Sequence, residues 1–126
     1  MSAMVCLELG VVLWLVHVLI QATLGTSALP AGYLFTPRDA PPATKGVMFG
    51  RATRALANYI ENFAPFVALD LGLIVAGHGA GFGPTLWILC RIVYIPLYLF
   101  GVTYARTAIW TVSLIGLVMM FVKLAF

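Results

Sequence analysis

Four apolar stretches, each long enough to cross a lipid bilayer and joined by only one long connection, limit what this 126-residue chain can fold into. They run from about Met4 to Leu24, Arg51 to Ala76, Thr85 to Thr103 and Ala108 to Leu124. A helix needs roughly 20 apolar residues to cross the hydrocarbon core, where no water is present to satisfy a bare backbone. Four such helices use about 80 residues and leave only short loops, with no room for an appended soluble module. A chain that is 63% apolar and 9% charged cannot coat a water-soluble domain with polar surface. The expectation is an all-α integral membrane four-helix bundle, one domain over residues 1–126.

Punctuation between the runs supports this division. Ser27 to Gly50 carries Pro30, Gly32, Pro37, Pro41, Pro42 and Gly46 with Arg38, Asp39 and Lys45, the composition of a loop. Gly77-His78-Gly79-Ala80-Gly81-Phe82-Gly83-Pro84 predicts a tight turn, and a short break is expected at Tyr104-Ala105-Arg106-Thr107. The first run lacks the basic n-region and small-x-small site of a cleaved signal, so it is expected to stay in the mature protein. Arg38, Lys45, Arg51, Arg54 and Arg106 collect at loops one and three, loop two has no Lys or Arg, and the ends carry only Lys123. The positive-inside rule then places both termini outside, across the inner membrane if the host is bacterial. A net charge of +3 is thus a topology signal and not a nucleic-acid signature. Cys6 and Cys90 sit in apolar runs with no partner at metal spacing; both read as small apolar residues, and no metal site is expected.

Charges inside a membrane cost about 2.5–3.5 kcal/mol each on insertion scales, so they usually face a bundle interior and mark function. On the second helix, Arg51, Arg54, Asn58, Glu61, Asn62 and Pro65 fall within roughly a 100° arc. On the third, Trp87, Arg91, Tyr94 and Tyr98 follow i, i+4, i+7, i+11. If the stripes meet, they combine three guanidiniums, one carboxylate, two amides and two phenols, and Glu61 neutralises only one cation. The residual positive charge calls for a small polyanionic organic ligand, because the guanidinium fork matches a carboxylate with two hydrogen bonds. The structural alternative is a Glu61–Arg91 ion pair with Asn58 and Asn62 as interhelical glue. Pro65 and Pro96 free the carbonyls of Glu61 and Ile92 beside these stripes. His17 and Gln21 on helix one are expected to hydrogen-bond between helices, Asp70 to face a neighbouring helix or subunit, and Trp110 to act as an interfacial anchor.

The stretch from Arg51 to Phe66, with its core Arg-x3-Asn-x2-Glu (Arg54, Asn58, Glu61), resembles the second-helix signature of the MAPEG family, membrane-associated proteins in eicosanoid and glutathione metabolism. Arg91-x2-Tyr94-x3-Tyr98 with the later Arg106 is similar to that family's second signature. The resemblance covers essentially the whole chain and implies a homotrimer with glutathione bound between adjacent subunits, near the cytosolic half of the membrane. Arg54 and Arg91 would hold its carboxylates, Glu61 its ammonium, and Asn58, Asn62 and Tyr94 its peptide groups, while Tyr98 lines the pocket. Arg106 would stabilise the thiolate, with Arg51 as the alternative, and a lipophilic substrate would arrive through the bilayer. Asn62 stands where leukotriene-forming members carry tyrosine, and helix one has His17 and Gln21 in place of their arginine. This disfavours a leukotriene synthase and resembles the compact bacterial members.

The leading expectation is a membrane-embedded glutathione- or related-thiol-binding protein that transfers the thiol to, or reduces, a lipophilic electrophile or peroxide. A non-catalytic membrane scaffold of the same fold is the main alternative. A small multidrug exporter is the other, disfavoured because Glu61 is surrounded by arginines that repel cationic drugs.

Overall fold

A computed structural model describes residues 1–40 and 42–126; the loop residue Pro41 lies outside the described residues. The described residues form four α-helices: α1 (Ala3–Ala28), α2 (Met48–Val75), α3 (Gly83–Leu99) and α4 (Thr103–Ala125). A single 3-10 turn, Tyr33–Phe35, lies in the first connection. Ser2 opens α1 by accepting a hydrogen bond from the Val5 amide (3.3 Å), relieving one of the donors a helix start leaves bare. α1 and α4 are long and apolar enough to cross a bilayer, with mean hydropathies of 2.4 and 2.0. The 17 residues of α3 rise only about 26 Å at ~1.5 Å each, slightly less than the ~30 Å hydrocarbon core.

Large side chains such as Leu19, Ile60, Val118 and Phe121 are exposed on the outside, as expected where the solvent is lipid. Inside, Cys6, Leu13, Tyr59, Phe66, Leu73, Trp87, Ile88 and Met120 form the core. Trp87 is fully buried and stacks on Phe66 with ring centroids 4.0 Å apart. The Tyr59 hydroxyl donates to the Gly10 carbonyl (2.6 Å), fastening α2 to α1. The closest helix contact joins α3 to α4: a Cβ on Gly116 would come within 2.9 Å of the Gly83 carbonyl oxygen, and one on Gly83 within 2.8 Å of the Gly116 carbonyl oxygen. Small residues let the two backbones touch, the usual device where apolar burial no longer drives association.

The end of α3 departs from the sequence expectation. The helix stops at Leu99, and Tyr104-Ala105-Arg106-Thr107 forms the first turns of α4 instead of a break. The reversal is made by Phe100, Gly101 and Val102, with Gly101 at φ 76°, a conformation that glycine takes without penalty. Arg51 Nη1 donates to the Leu99 carbonyl (2.9 Å), filling one acceptor that the end of α3 leaves bare. Arg51→Ala is expected to lower stability by about 1–2 kcal/mol through this lost charge-assisted bond, seen as a fall of a few degrees in melting temperature in detergent.

Candidate functional site

The α3 stripe faces inward as a unit. Trp87, Arg91 and Tyr94 are buried and Tyr98 half-buried, because their spacing keeps them on one helical face. The α2 stripe is split. At ~100° per residue, Asn62, Arg51 and Asn58 occupy the edge nearest α3, whereas Pro65, Arg54 and Glu61 occupy the far edge. Accordingly Asn62 is buried, Arg51 and Asn58 are half-buried, and Arg54, Glu61 and Pro65 are exposed on the outside of the bundle.

Arg91 is the centre of the inward set. Only 1% of it is exposed, and Nη1 donates to Asn58 Oδ1 (2.9 Å). Its Nε and Nη2 have no hydrogen-bond partner, so the Glu61–Arg91 ion pair offered as a structural alternative is absent. The reason is the split stripe: Glu61 projects away from α3. The Arg91 guanidinium lies 5.2 Å from the Trp87 ring centroid and 5.4 Å from that of Tyr94, within cation–π range of both. Asn62 Nδ2 donates to the Asn58 carbonyl (2.8 Å), a bond within α2 that leaves its Oδ1 uncommitted.

A cleft of about 200 Å³ opens beside this centre, lined by Asn58, Tyr94, Tyr98, Arg106, Thr107 and Trp110. Arg106 packs over the Tyr98 ring at 4.6 Å, and Tyr98 in turn lies 5.4 Å from Tyr94, so the second cation is held by an aromatic ladder. The cleft therefore offers amide, phenol, hydroxyl and guanidinium groups, and no carboxylate lines it. The structure brings Asn58, Tyr94, Tyr98 and Arg106 into the lining, encloses Arg91 behind Asn58 and Tyr94, and leaves Arg51, Arg54, Glu61 and Asn62 outside the lining.

Thr107 and Trp110 were missed as lining residues because the α4 start was expected at Ala108. With the helix running from Thr103, Arg106, Thr107 and Trp110 follow i, i+1, i+4 and share a face. Trp110 lines the cleft, and its buried Nε1 has no hydrogen-bond partner. Gln21 Nε2 does bond across helices, to Thr53 Oγ1 (3.3 Å). His17 does not, since its Nδ1 pairs with the Leu13 carbonyl of its own helix (2.8 Å) while its ring packs 4.5 Å from Tyr59. Asp70 is fully enclosed within the subunit, and neither of its oxygens has a partner.

Apolar helices enclosing a buried, incompletely paired arginine define an integral membrane helical bundle with an anion-seeking interior. The MAPEG family model matches residues 3–126, and the chain belongs to the MAPEG family, membrane proteins of glutathione and eicosanoid metabolism. No curated protein and no solved structure matches the chain significantly.

Proposed function

We propose that the chain binds glutathione, or a related anionic thiol, against Arg91 and the adjoining cleft, and uses it to modify or reduce a lipophilic electrophile or peroxide. The observation that carries this reading is the Arg91 guanidinium, enclosed among apolar and aromatic groups with Nε and Nη2 unpaired. An isolated buried cation is costly unless an anion joins it. A carboxylate seated in the cleft beside Asn58 and Tyr94 supplies that anion, and the Asn58 amide remains to orient neutral peptide groups.

The volume supports a site completed by a second copy. Small-molecule sites usually measure about 300–1,000 Å³, and the cleft beside Arg91 measures about 200 Å³ in a single subunit. Glu61 lies exposed at the middle of α2, where lipid would meet it at a cost of about 2.5–3.5 kcal/mol, and Arg54 is exposed on the same face two turns nearer the helix start. Another copy covering this face removes that cost and adds Arg54 for a second ligand carboxylate and Glu61 for an ammonium. A homotrimer in which neighbours share each site meets both requirements. Both termini then lie outside, because Arg38, Lys45, Arg51, Arg54 and Arg106 gather at the opposite ends of the helices.

The ligand thiol supplies the nucleophile in its ionised form. Arg106, steadied on Tyr98, provides a fixed positive charge for that thiolate. Arg91 and Asn58 hold the molecule at its other end, and the lipid-facing walls admit apolar substrates from the bilayer. Titrating the detergent-purified protein with glutathione while following thiolate ultraviolet absorbance is expected to give a saturable signal that Arg106→Ala loses, with affinity retained. Binding without a thiolate signal would move the protein to the scaffold alternative, and no binding would remove the thiol reading.

A further inference from the structure

A cavity larger than the cleft beside Arg91 lies elsewhere, under the first loop. The connection after α1 is stitched into a cup: the Lys45 amide donates to the Ala28 carbonyl (2.9 Å), the Tyr33 hydroxyl to the Ala40 carbonyl (2.7 Å), and Arg38 Nη2 to the Leu34 carbonyl (3.0 Å). Beneath it is a space of about 400 Å³, within the usual range for a small-molecule site. Ala22, Leu29, Leu34 and Phe49 make an apolar floor; Gln21, Tyr33 and Arg38 bring polar groups to the same space. Among the described residues Arg38 is the one charged member of the lining; its neighbour Asp39 does not line it. Arg38 is also the one non-glycine residue with positive φ, 62°, among the described residues. An L-residue in that region carries strain of order 1–3 kcal/mol, which persists where the surrounding structure fixes it. Here the strain aims a guanidinium at a cavity while its Nη2 closes the 3-10 turn.

We propose that this cup binds the anionic headgroup and head-proximal chain of a phospholipid drawn from the surrounding leaflet. Arg38 meets the phosphate through the guanidinium N–H groups not given to Leu34, and the floor of Leu29, Leu34 and Phe49 takes the start of an acyl chain. A soluble anion would make no use of that floor, a lipid without a phosphate would make no use of Arg38, and the ammonium of a choline headgroup beside the phosphate would be repelled by the guanidinium. The setting agrees: the cup stands at the end of α1 where the chain leaves the membrane, with Phe35, 94% exposed, beside it for insertion among lipid chains. The thiol reading is not needed for this site, which lies between α1, α2 and loop one.

The test is native mass spectrometry of the full-length protein released from detergent with dioleoyl-phosphatidylglycerol or dioleoyl-phosphatidylcholine, and with glycerol phosphate as a chainless control. Phosphatidylglycerol is expected to remain bound at least about tenfold more strongly than phosphatidylcholine, as for a charge-assisted contact. Arg38→Gly is the informative variant, since it removes the guanidinium and relieves the positive-φ strain together. It is expected to lose the lipid preference while keeping or raising the melting temperature, so that lost binding cannot be read as misfolding. Equal retention of the two lipids, unchanged preference in Arg38→Gly, or glycerol phosphate binding as tightly as the lipid would each overturn the proposal.

Discussion

Replacing Arg91 by methionine is expected to stabilise the ligand-free protein and, in the same variant, to abolish thiol binding. Methionine follows the arginine stem about as far as Nε, so Trp87 and Tyr94 lose the guanidinium above their rings and keep a shorter apolar partner. The substitution gives up one hydrogen bond to Asn58 and leaves that amide oxygen to be satisfied within the cleft. In return it removes a buried charge that lacks a counter-ion in the subunit, and exchanges of this kind are commonly neutral or stabilising by about 1–4 kcal/mol. Binding should move the opposite way, by about a hundredfold or more, because the charge proposed to attract a ligand carboxylate is gone. Thermal shift measures both: glutathione should raise the melting temperature of the parent protein by mass action and leave Arg91→Met unmoved. A variant that melts earlier without ligand would make Arg91 a structural strut, and one that still responds to glutathione would place the site elsewhere.

The contrast between stability and ligand response also explains which parts of this site were legible in the sequence. The α3 stripe was legible because its four members repeat at the helical period and pack against one interior, so spacing alone fixes their orientation. The α2 stripe spans a wider arc than α3 can cover. Periodicity correctly grouped Arg51 to Pro65 and could not say where the contact edge falls between Asn58 and Glu61. The cost of misplacing that edge is a wrong partner: Asn58, not Glu61, meets Arg91. On α4 the obstacle was local. Tyr104 to Thr107 reads as polar punctuation, but Thr107 and Thr111 return their hydroxyls to carbonyls one turn back (3.1 and 3.0 Å), which makes threonine acceptable inside the helix. Gly101 was the better boundary signal, and using it would have put Arg106, Thr107 and Trp110 on one face.

Loop one was illegible for a different reason. Its form rests on side chain to backbone bonds from Tyr33 and Arg38 and a backbone bond from Lys45 to Ala28, none of which has a sequence period. A stretch rich in proline and glycine announces a connection and gives no hint of whether it encloses space. The same limit applies to Asp70. Its sequence position shows a carboxylate on an apolar helix, but only packing shows that it is enclosed within its own subunit.

Gly116→Val is expected to cause the largest loss of stability of any substitution considered, more than about 3 kcal/mol, and to carry the ligand site with it. The new Cβ would lie 2.9 Å from the Gly83 carbonyl oxygen and 3.2 Å from the Trp87 amide nitrogen, so the obstruction is backbone on both sides. A side chain could rotate away, but here α3 and α4 must separate. Overpacking a close contact typically costs about 1–3 kcal/mol, and the apolar seal that includes Met120 and Trp87 opens in addition. Gly10→Ala is the matched comparison: its Cβ would come within 2.7 Å of Phe63 Cε2, the tip of a ring that can turn, so its loss should be smaller. The functional consequence follows from which helices carry which groups. Arg91, Tyr94 and Tyr98 ride on α3, whereas Arg106, Thr107 and Trp110 ride on α4. Spreading that pair widens the cleft from its floor and moves the Arg106 charge away from Tyr98. Any folded fraction of Gly116→Val recovered in detergent should therefore bind glutathione weakly and give no thiolate signal. If that fraction keeps both, the Gly83–Gly116 contact does not set the geometry of the site.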